Sequence, residues 1–509
     1  MIENGLRPES WMARNSPFLT SCRNRRPVRD GGLKGFFSFS PQVSNTAITA
    51  ATEVKAWPFP QAFEGKSLRL LAFSDAIYTI ATDGSITLID TKDPDDATGG
   101  TSKAITPGRD WHFVDFGNSW MLLNGASVVW QRHGGHVWTS SDVTISTGCV
   151  HKDARALLAG FDATDYYDRV DWPSFWDSIN EHMPPEYSSL QQAGLGSSDV
   201  WWSSYLSPDL FALLDASDLQ DSGMAIDLRY RGEAGSARMP WTGSCVGVAE
   251  LGDGIVVYGT GGVHFLAPIG NRYSRREFVG LGEKTALLPG TNTRTHWAGT
   301  KAFQYFVDDS FVLWRLTPDL KAESLGYSEY LSTLNRDTML MAYDATNDQL
   351  YIADGTRCWL YTQGRLCGAP FMPTRITAGG RGSIRSIFFN ASDATSVQIE
   401  TGTLTTDAGR VETLSRIWLR GLTANNSTGW RVKVKSRLRA YDDWTESEVF
   451  VPDARGVVSI AIPVLEFRIV LISTNQNAVT LDDIGYEFGD SNAAFSTKLA
   501  AATPSAATE

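Results

Sequence analysis

The strongest constraint on this chain is a cadence of short strands broken by tight turns. From Val246 to Leu266 the sequence runs Val-Gly-Val-Ala-Glu-Leu, then Gly-Asp-Gly, then Ile-Val-Val-Tyr, then Gly-Thr-Gly-Gly, then Val-His-Phe-Leu. Glycine reaches backbone angles that a side chain forbids, so both glycine clusters read as turns. Runs of four to six β-branched and aromatic residues between them read as strands of a meander.

The cadence recurs. Leu68 to Asp90 places Leu-Arg-Leu-Leu-Ala-Phe, Ala-Ile-Tyr-Thr-Ile-Ala and Ile-Thr-Leu-Ile between Ser-Asp and Thr-Asp-Gly-Ser turns. Trp111 to Trp130, Thr300 to Leu316 and Met339 to Tyr361 do the same, with Asp, Asn or Gly at each break. Sheets of this size repeated along a chain fit the blades of a propeller, and that reading is preferred to an ordinary β-sandwich. The expected fold class is all-β: a β-propeller with an inserted, partly helical segment, followed by a C-terminal β-sandwich-like domain.

Six parts follow from the pattern. Residues 1–40 form an extended N-terminal arm, rich in Pro and Gly, with Arg23, Arg25, Arg26 and Arg29 close together. Residues 41–150 hold the first blades. Residues 151–240 read as a partly helical insertion. Its segments Ala154–Gly160, Trp172–Ile179 and Pro208–Asp215 have helical apolar spacing. Residues 241–370 hold the remaining blades, and residues 371–490 a β-sandwich. Residues 491–509 are Ala/Ser/Thr-rich and are expected to be a disordered tail.

Charge is segregated. The formal net charge is −12, which argues against a general nucleic-acid binder. Yet Arg410 to Arg439 holds eight basic residues and one acid, and Arg23 to Lys34 holds five basic residues and one acid. Arg431, Lys433, Lys435, Arg437 and Arg439 alternate with Val432, Val434, Ser436 and Leu438. A strand sends successive side chains to opposite faces, so this alternation gathers the cations on one face. Together with Arg23, Arg25, Arg26 and Arg29 they are the candidate subunit- or partner-docking residues. A solvated outer sheet face explains the same pattern, and contact with phosphates stands behind both.

Signals for chemistry are sparse. The chain has no Gly-x-x-x-x-Gly-Lys, Gly-x-Ser-x-Gly, Cys-x-x-Cys or His-Glu-x-x-His. Asp90 to Asp96 resembles a calcium loop but lacks the glycine and distal glutamate that such loops use. His133 and His136 have no cysteine partners nearby and read as a hairpin turn. Asp482-Asp483 reads as a turn before a closing strand. Five scattered cysteines fit reduced thiols better than a disulfide frame. The start, Met1 to Glu9, lacks the apolar stretch of a secretory signal, and no run is long and apolar enough to span a bilayer. No catalytic, cofactor or metal site is assigned, and no enzyme activity is expected.

The order of these features resembles the propeller-containing hub or nozzle proteins of short-tailed bacteriophages. Four stretches carry the resemblance: the arm Cys22 to Pro27 with Gly31-Gly32, the Val246 to Leu266 meander, the progression from Gly282 through Phe306 to Phe311, and the end from Glu466 to Phe488. The resemblance implies a structural tail protein, assembled in the host cytoplasm and located in the virion. It implies a homo-oligomeric, six-copy ring with a portal and adaptor ring above and a needle, spike or fibre below. Packaged double-stranded DNA would pass through the lumen without sequence-specific binding or membrane insertion.

Two alternatives remain. One is a tail-associated glycan binder using aromatic side chains among Trp418, Trp430, Tyr441 and Trp444. The other is a propeller glycosidase with a carboxylate clamp such as Arg275-Arg276, although the Asp-box cadence of sialidase-like propellers is absent.

Overall fold

The computed structural model describes residues 19–23, 26–27, 33–34, 61–65, 68–83, 85–96, 98–117, 119–131, 135–141, 144–151, 155–162, 196–202, 235–270, 276–280, 288–291, 296–319, 321–370, 372–378, 384–390, 397–406, 409–422, 429–473 and 481–489. Among them, strands dominate. The helical elements there are one turn of α-helix, Ser328–Leu331, and a 3-10 turn, Arg336–Thr338.

Six successive sheets form blades. The first spans Gln61–Glu64, Arg69–Ala72, Ile77–Ile80 and Ile86–Leu88. The second runs from His112–Asp115 to Val137–Ser140, and Thr91–Lys92 adds a parallel outer strand. The third runs from Thr144–His151 to Gly235–Arg238, and the fourth from Cys245–Leu251 to Arg276–Gly280. The fifth runs from Trp297–Thr300 to Ala322–Gly326, and the sixth from Leu340–Asp344 to Arg365–Gly368. Within each blade, neighbouring strands are antiparallel apart from the added Thr91–Lys92. The first strand after each outer connection is innermost.

These innermost strands make the ring. Those of the second and third blades pack together, as do those of the third and fourth, the fourth and fifth, and the fifth and sixth. Gln61 and Trp111 tie the first blade to the second: the Trp111 amide donates to Gln61 Oε1 at 2.6 Å, and Gln61 Nε2 donates to the Trp111 carbonyl at 3.3 Å. A seventh unit closes the circle. The hairpin Met372–Ala378 and Ile384–Asn390 places its first strand against both Leu340–Asp344 and Gln61–Glu64. The protein is therefore an all-β, propeller-like ring.

One local device explains the acidic breaks of the cadence. Asp83, Asp115, Asn124, Asp308, Asp344 and Asp354 each accept, on a side-chain oxygen, the backbone N–H two residues on, at 2.8–2.9 Å. Such a turn satisfies a backbone donor that the ladder leaves open and fixes the reversal. In the meander Val246 to Leu266, Gly252 has φ +60°, as its turn requires.

Two expectations are corrected. Of the expected helix Ala154–Gly160, residues 155–160 lie in the strand Arg155–Asp162, and Ala154 lies outside the described residues. Residues 157–161 are buried throughout, and a central strand covered on both faces shows no alternation. Asp199–Trp202 and Gly235–Arg238 pair beyond it, so the segment expected as an insertion supplies three strands of the third blade. Trp172–Ile179 and Pro208–Asp215 lie outside the described residues. The second correction concerns the boundary set at 371: Met372–Ala378 and Ile384–Asn390 belong to the propeller ring, and the sandwich strands described begin with Val397–Thr401.

The C-terminal part packs two sheets. One has Val457–Val464, Glu412–Arg420 and Asp483–Gly489 in that order. The other has Val397–Thr401, Glu466–Ser473, Trp430–Arg437 and the two-residue Thr445–Glu446. Leu414, Ile417, Trp430, Val432, Phe467 and Ile469 fill the space between them.

The N-terminal arm joins the two parts. Leu19–Arg23 pairs antiparallel with Val397–Thr401 on one side and contacts Arg365–Gly368 in parallel on the other, through Arg23 and Gly368. Sixth blade, arm and sandwich thus form one ten-stranded sheet. Leu33 adds a backbone bridge to Leu481, 2.8 Å and 3.0 Å in its two bonds. Leu19, Cys22 and Leu33 are buried in a single core that also takes in Leu350 and Leu360 of the blade and Val397 and Ile399 of the sandwich.

Candidate functional site

The basic strand Trp430–Arg437 lies inside the sandwich sheet, between Glu466–Ser473 and Thr445–Glu446. Trp430, Val432 and Val434 are buried against the opposite sheet, while Arg431, Lys433, Lys435 and Arg437 face outward. The alternation thus places four of the five cations as expected. Arg439 lies beyond the end of the strand, in the turn that follows, because the strand stops at Arg437.

Most of this outer charge is matched within the chain. Lys433 Nζ is 3.2 Å from Glu446 Oε2. Lys435 Nζ is 2.9 Å from Glu400 Oε2, and Arg468 reaches the other oxygen of Glu400 at 3.3 Å. Arg437 Nε donates to Glu466 Oε2 at 2.6 Å, and a second guanidinium nitrogen of Arg437 also reaches that oxygen. Glu466 is nearly sealed, with 2% of its side chain exposed. A sealed carboxylate is costly unless a cation and hydrogen bonds answer it, and Arg437 does so. Arg431, exposed, donates to the Trp430 carbonyl at 2.9 Å.

An indole covers the ladder. Trp444 folds back over two guanidinium groups, 4.6 Å from that of Arg437 and 4.8 Å from that of Arg468. Both lie within cation–π range of the ring. Sequence reasoning singled out the cations but missed Glu400, Glu466 and Arg468. Their signal was an acid or base at alternate positions of otherwise apolar strands, as in Glu466-Phe-Arg468-Ile.

The arm is less informative. Arg23 lies in the strand that joins the two lobes, and Arg26 is half-buried in the short strand Arg26–Pro27, paired with Leu33–Lys34. Arg25 and Arg29 lie outside the described residues.

The other sequence candidates also find places. Asp96 accepts from the amides and hydroxyls of Thr98 and Thr101 at 2.5–3.0 Å, and the two hydroxyl bonds, then the amides, hold its carboxyl well below the usual range. Lys92 and Lys103 pair with Asp90 and Asp93. These carboxylates already have donors, so the stretch is a hydrogen-bonded turn. The strands flanking His136 form an antiparallel hairpin, and His136 meets Trp138 edge-on; His133 lies outside the described residues. Asp482 donates its amide to the Arg420 carbonyl, and Asp483 opens the closing strand and pairs with Arg420. Among the described residues, no group of three or more His, Cys, Asp or Glu side chains is placed to hold a metal. All five cysteines are free, and burial pushes Cys245 up to about 12.

Of the aromatic candidates, Trp430 is fully buried and Trp418 is half-buried over Gly485. Tyr441 is 99% exposed, and Trp444 is occupied by its arginines. Arg275 lies outside the described residues, and Arg276 begins a blade strand.

Inside the propeller, side chains cross the bore. His112 of the second blade stacks on Trp297 of the fifth, across the ring, with centroids 5.6 Å apart. Tyr258 stacks beneath Trp297 at 5.0 Å, and Phe306 and Trp314 continue the row. Gly247 makes room for it: a Cβ there would collide with the indole of Trp297.

No family profile and no curated sequence matches the chain. Among solved structures, the WD40 domain of Pan2 from Neurospora crassa aligns with TM-score 0.35 and 8% identity, over 67% of this chain and 85% of that one. BamB from Moraxella catarrhalis aligns with TM-score 0.30 and 8% identity, over 79% and 81%. PorZ, a surface component of the type-IX secretion system of Porphyromonas gingivalis, aligns with TM-score 0.34 and 10% identity, over 67% of this chain. The chain covers 35% of PorZ. The ring of inner strands, rather than these alignments, carries the fold assignment.

Proposed function

We propose that the chain is a structural subunit of a virion tail, a hub or nozzle protein of a short-tailed bacteriophage. Six copies of it form a ring below a portal and adaptor ring. The ring extends the DNA channel, retains packaged DNA and anchors a needle, spike or fibre. No reaction is assigned to it.

The supporting observation is the joint made by Leu19–Arg23. One strand makes sixth blade and sandwich a continuous sheet with a shared core. A block built this way resists bending between its lobes, as the wall of a channel holding compressed DNA must. His112 and Trp297 meet across the bore of the single propeller, so a DNA passage in this reading lies between copies. The formal charge of −12 favours a lumen along which phosphates slide without adhering.

Mass measurement of the purified chain, alone and mixed with a portal–adaptor assembly, tests the reading. A closed ring that forms on the adaptor supports it. A monomer that ignores the adaptor, or particles that keep their genome and infect without this chain, overturns it. The glycan-binding alternative has one observation in its favour, the full exposure of Tyr441 beside the half-buried Trp444. Binding on a glycan array that Tyr441→Ala abolishes would favour that alternative.

A further inference from the structure

We propose that the open edge of the sandwich takes up an extended segment of another protein chain, with apolar and basic residues in alternation, as an added β-strand. This goes beyond the tail-hub reading and does not depend on it.

The first observation is an edge. Val457–Val464 pairs with Glu412–Arg420 on one side and with no strand on the other, among the described residues. It is eight residues long. An edge of this length presents a row of main-chain donors and acceptors that an incoming strand can satisfy. Pro463 has no N–H, which confines pairing to the part before it.

The second observation is a cleft of about 710 Å³ along that edge. Ala461, Ile462 and Pro463 line one side, and the returning segment from Ser436 to Phe450 lines the other. The two walls belong to the two sheets of the sandwich, so the cleft is where those sheets separate.

The third observation is the character of the second wall. Leu438, exposed, and Phe450 line this wall, and of the seven large apolar side chains exposed among the described residues three more, Tyr441, Val449 and Val451, stand close to it in sequence, outside the cleft lining. Apolar exposure concentrated in one place marks an interaction surface more often than scattered exposure does. Asp442, Asp443, Glu446 and Glu448 also line the cleft. Glu446 is answered by Lys433, and Arg437 is held by Glu466, whereas Asp442 and Asp443 have no cation partner among the described residues. The wall is thus apolar and acidic at once. Its complement is an added strand whose apolar face turns to Leu438 and Phe450, with lysines between whose long stems reach round to the exposed carboxylates.

The test uses the full chain and synthetic peptides of about ten residues. One alternates Val and Lys, a second alternates Val and Glu, and a third repeats the Val-Lys sequence with alternate backbone nitrogens methylated. Fluorescence anisotropy measures affinity, and hydrogen exchange reads residues 457–464. The Val-Lys peptide is expected to bind and to slow exchange in that strand. The Val-Glu and N-methylated peptides are each expected to bind at least roughly tenfold more weakly. Asp442 and Asp443 are exposed, so the double substitution Asp442→Lys/Asp443→Lys leaves the fold intact, as circular dichroism and melting will verify. It is expected to weaken the Val-Lys peptide by at least roughly tenfold and to improve the Val-Glu peptide. The proposal is overturned if the Val-Lys peptide fails to bind, if the N-methylated peptide binds equally well, if exchange in 457–464 is unchanged on binding, or if the double substitution alters nothing. Loss of ring formation with peptide binding intact would count against the tail-hub reading alone.

Discussion

The two lobes of this molecule solve the same problem, burying a small sheet, in different ways. In the propeller, neighbouring blades meet through apolar and aromatic side chains: Tyr258, Phe306 and Trp314 in a row below Trp297, and Leu70, Leu122 and Val129 between the first two blades. Several of its acids sit at turns, where they hold backbone amides, and others pair within a blade, as Asp199 does with Arg238. In the sandwich, one face of a sheet is apolar and the other carries a ladder of ion pairs roofed by Trp444. Charge in the first lobe acts at turns and within single blades. In the second it ties strands distant in sequence, as Lys435 and Arg468 do through Glu400.

The contrast can be broken from the propeller side. Phe306 is fully buried and touches both Tyr258 and Trp314. Phe306→Ala should cost about 4 kcal/mol in urea unfolding, the usual range for truncating a sealed aromatic residue. A cost under about 1 kcal/mol would mean that the row contributes little.

From the sandwich side, Glu466→Ala leaves Arg437 without its carboxylate. Removing one partner of a sealed pair costs about 3 kcal/mol, reduced here because Arg437 keeps contact with solvent and with Trp444. The double substitution with Arg437→Met should recover most of that loss. If the two single losses merely add, the pair is not a coupled unit.

A third prediction separates the lobes by pH. His296, at the entrance to the fifth blade, is buried, and its Nε2 lies 2.9 Å from the Arg336 carbonyl, which requires that nitrogen to donate. Burial above all, with the charge of Arg336 adding to it, pushes its pKa down to about 4, although the carbonyl contact and Asp337 act the other way. A histidine with a folded pKa below its unfolded one stabilises the fold fully above the unfolded pKa of about 6.5. That contribution, about 3 kcal/mol at most, is lost as pH falls from about 6.5 toward about 4. Melting of the wild type should therefore fall across this window more steeply than that of His296→Gln. Equal slopes would show that this histidine is not the sensor.

The smallest effect has the opposite sign. The hydroxyl of Tyr258 is buried with no hydrogen-bond partner. Burial raises its pKa well above the usual phenol value. Tyr258→Phe keeps the stack on Trp297 and removes the unpaired group, so calorimetry should show a gain of about 1 kcal/mol. A loss would mean that the hydroxyl has a partner in solution.

Much of the propeller was legible in the chain. The stretches Leu68–Asp90, Trp111–Trp130, Val246–Leu266, Thr300–Leu316 and Met339–Tyr361 all became blade strands, with their turns at the Asp, Asn and Gly positions. Period-two alternation and turn chemistry act over a few residues, so a sequence displays them directly. The third blade was misread over residues 155–160 because a strand buried on both faces looks like any apolar run. Of the docking candidates, the alternation found the cations but not the acids that hold them.

What the sequence by itself determined is local: where strands begin, where turns fall, and that Lys433, Lys435 and Arg437 share a face. Tertiary structure decided the rest. Only the fold brings Glu400, Glu466 and Trp444 to those cations, closes the ring with 372–378, and runs Leu19–Arg23 between a blade and a sandwich more than 340 residues further along. The reason is physical: a strand's period is set by its own backbone, whereas its partners across a sheet are chosen by long-range burial and charge balance, which no short window of sequence contains.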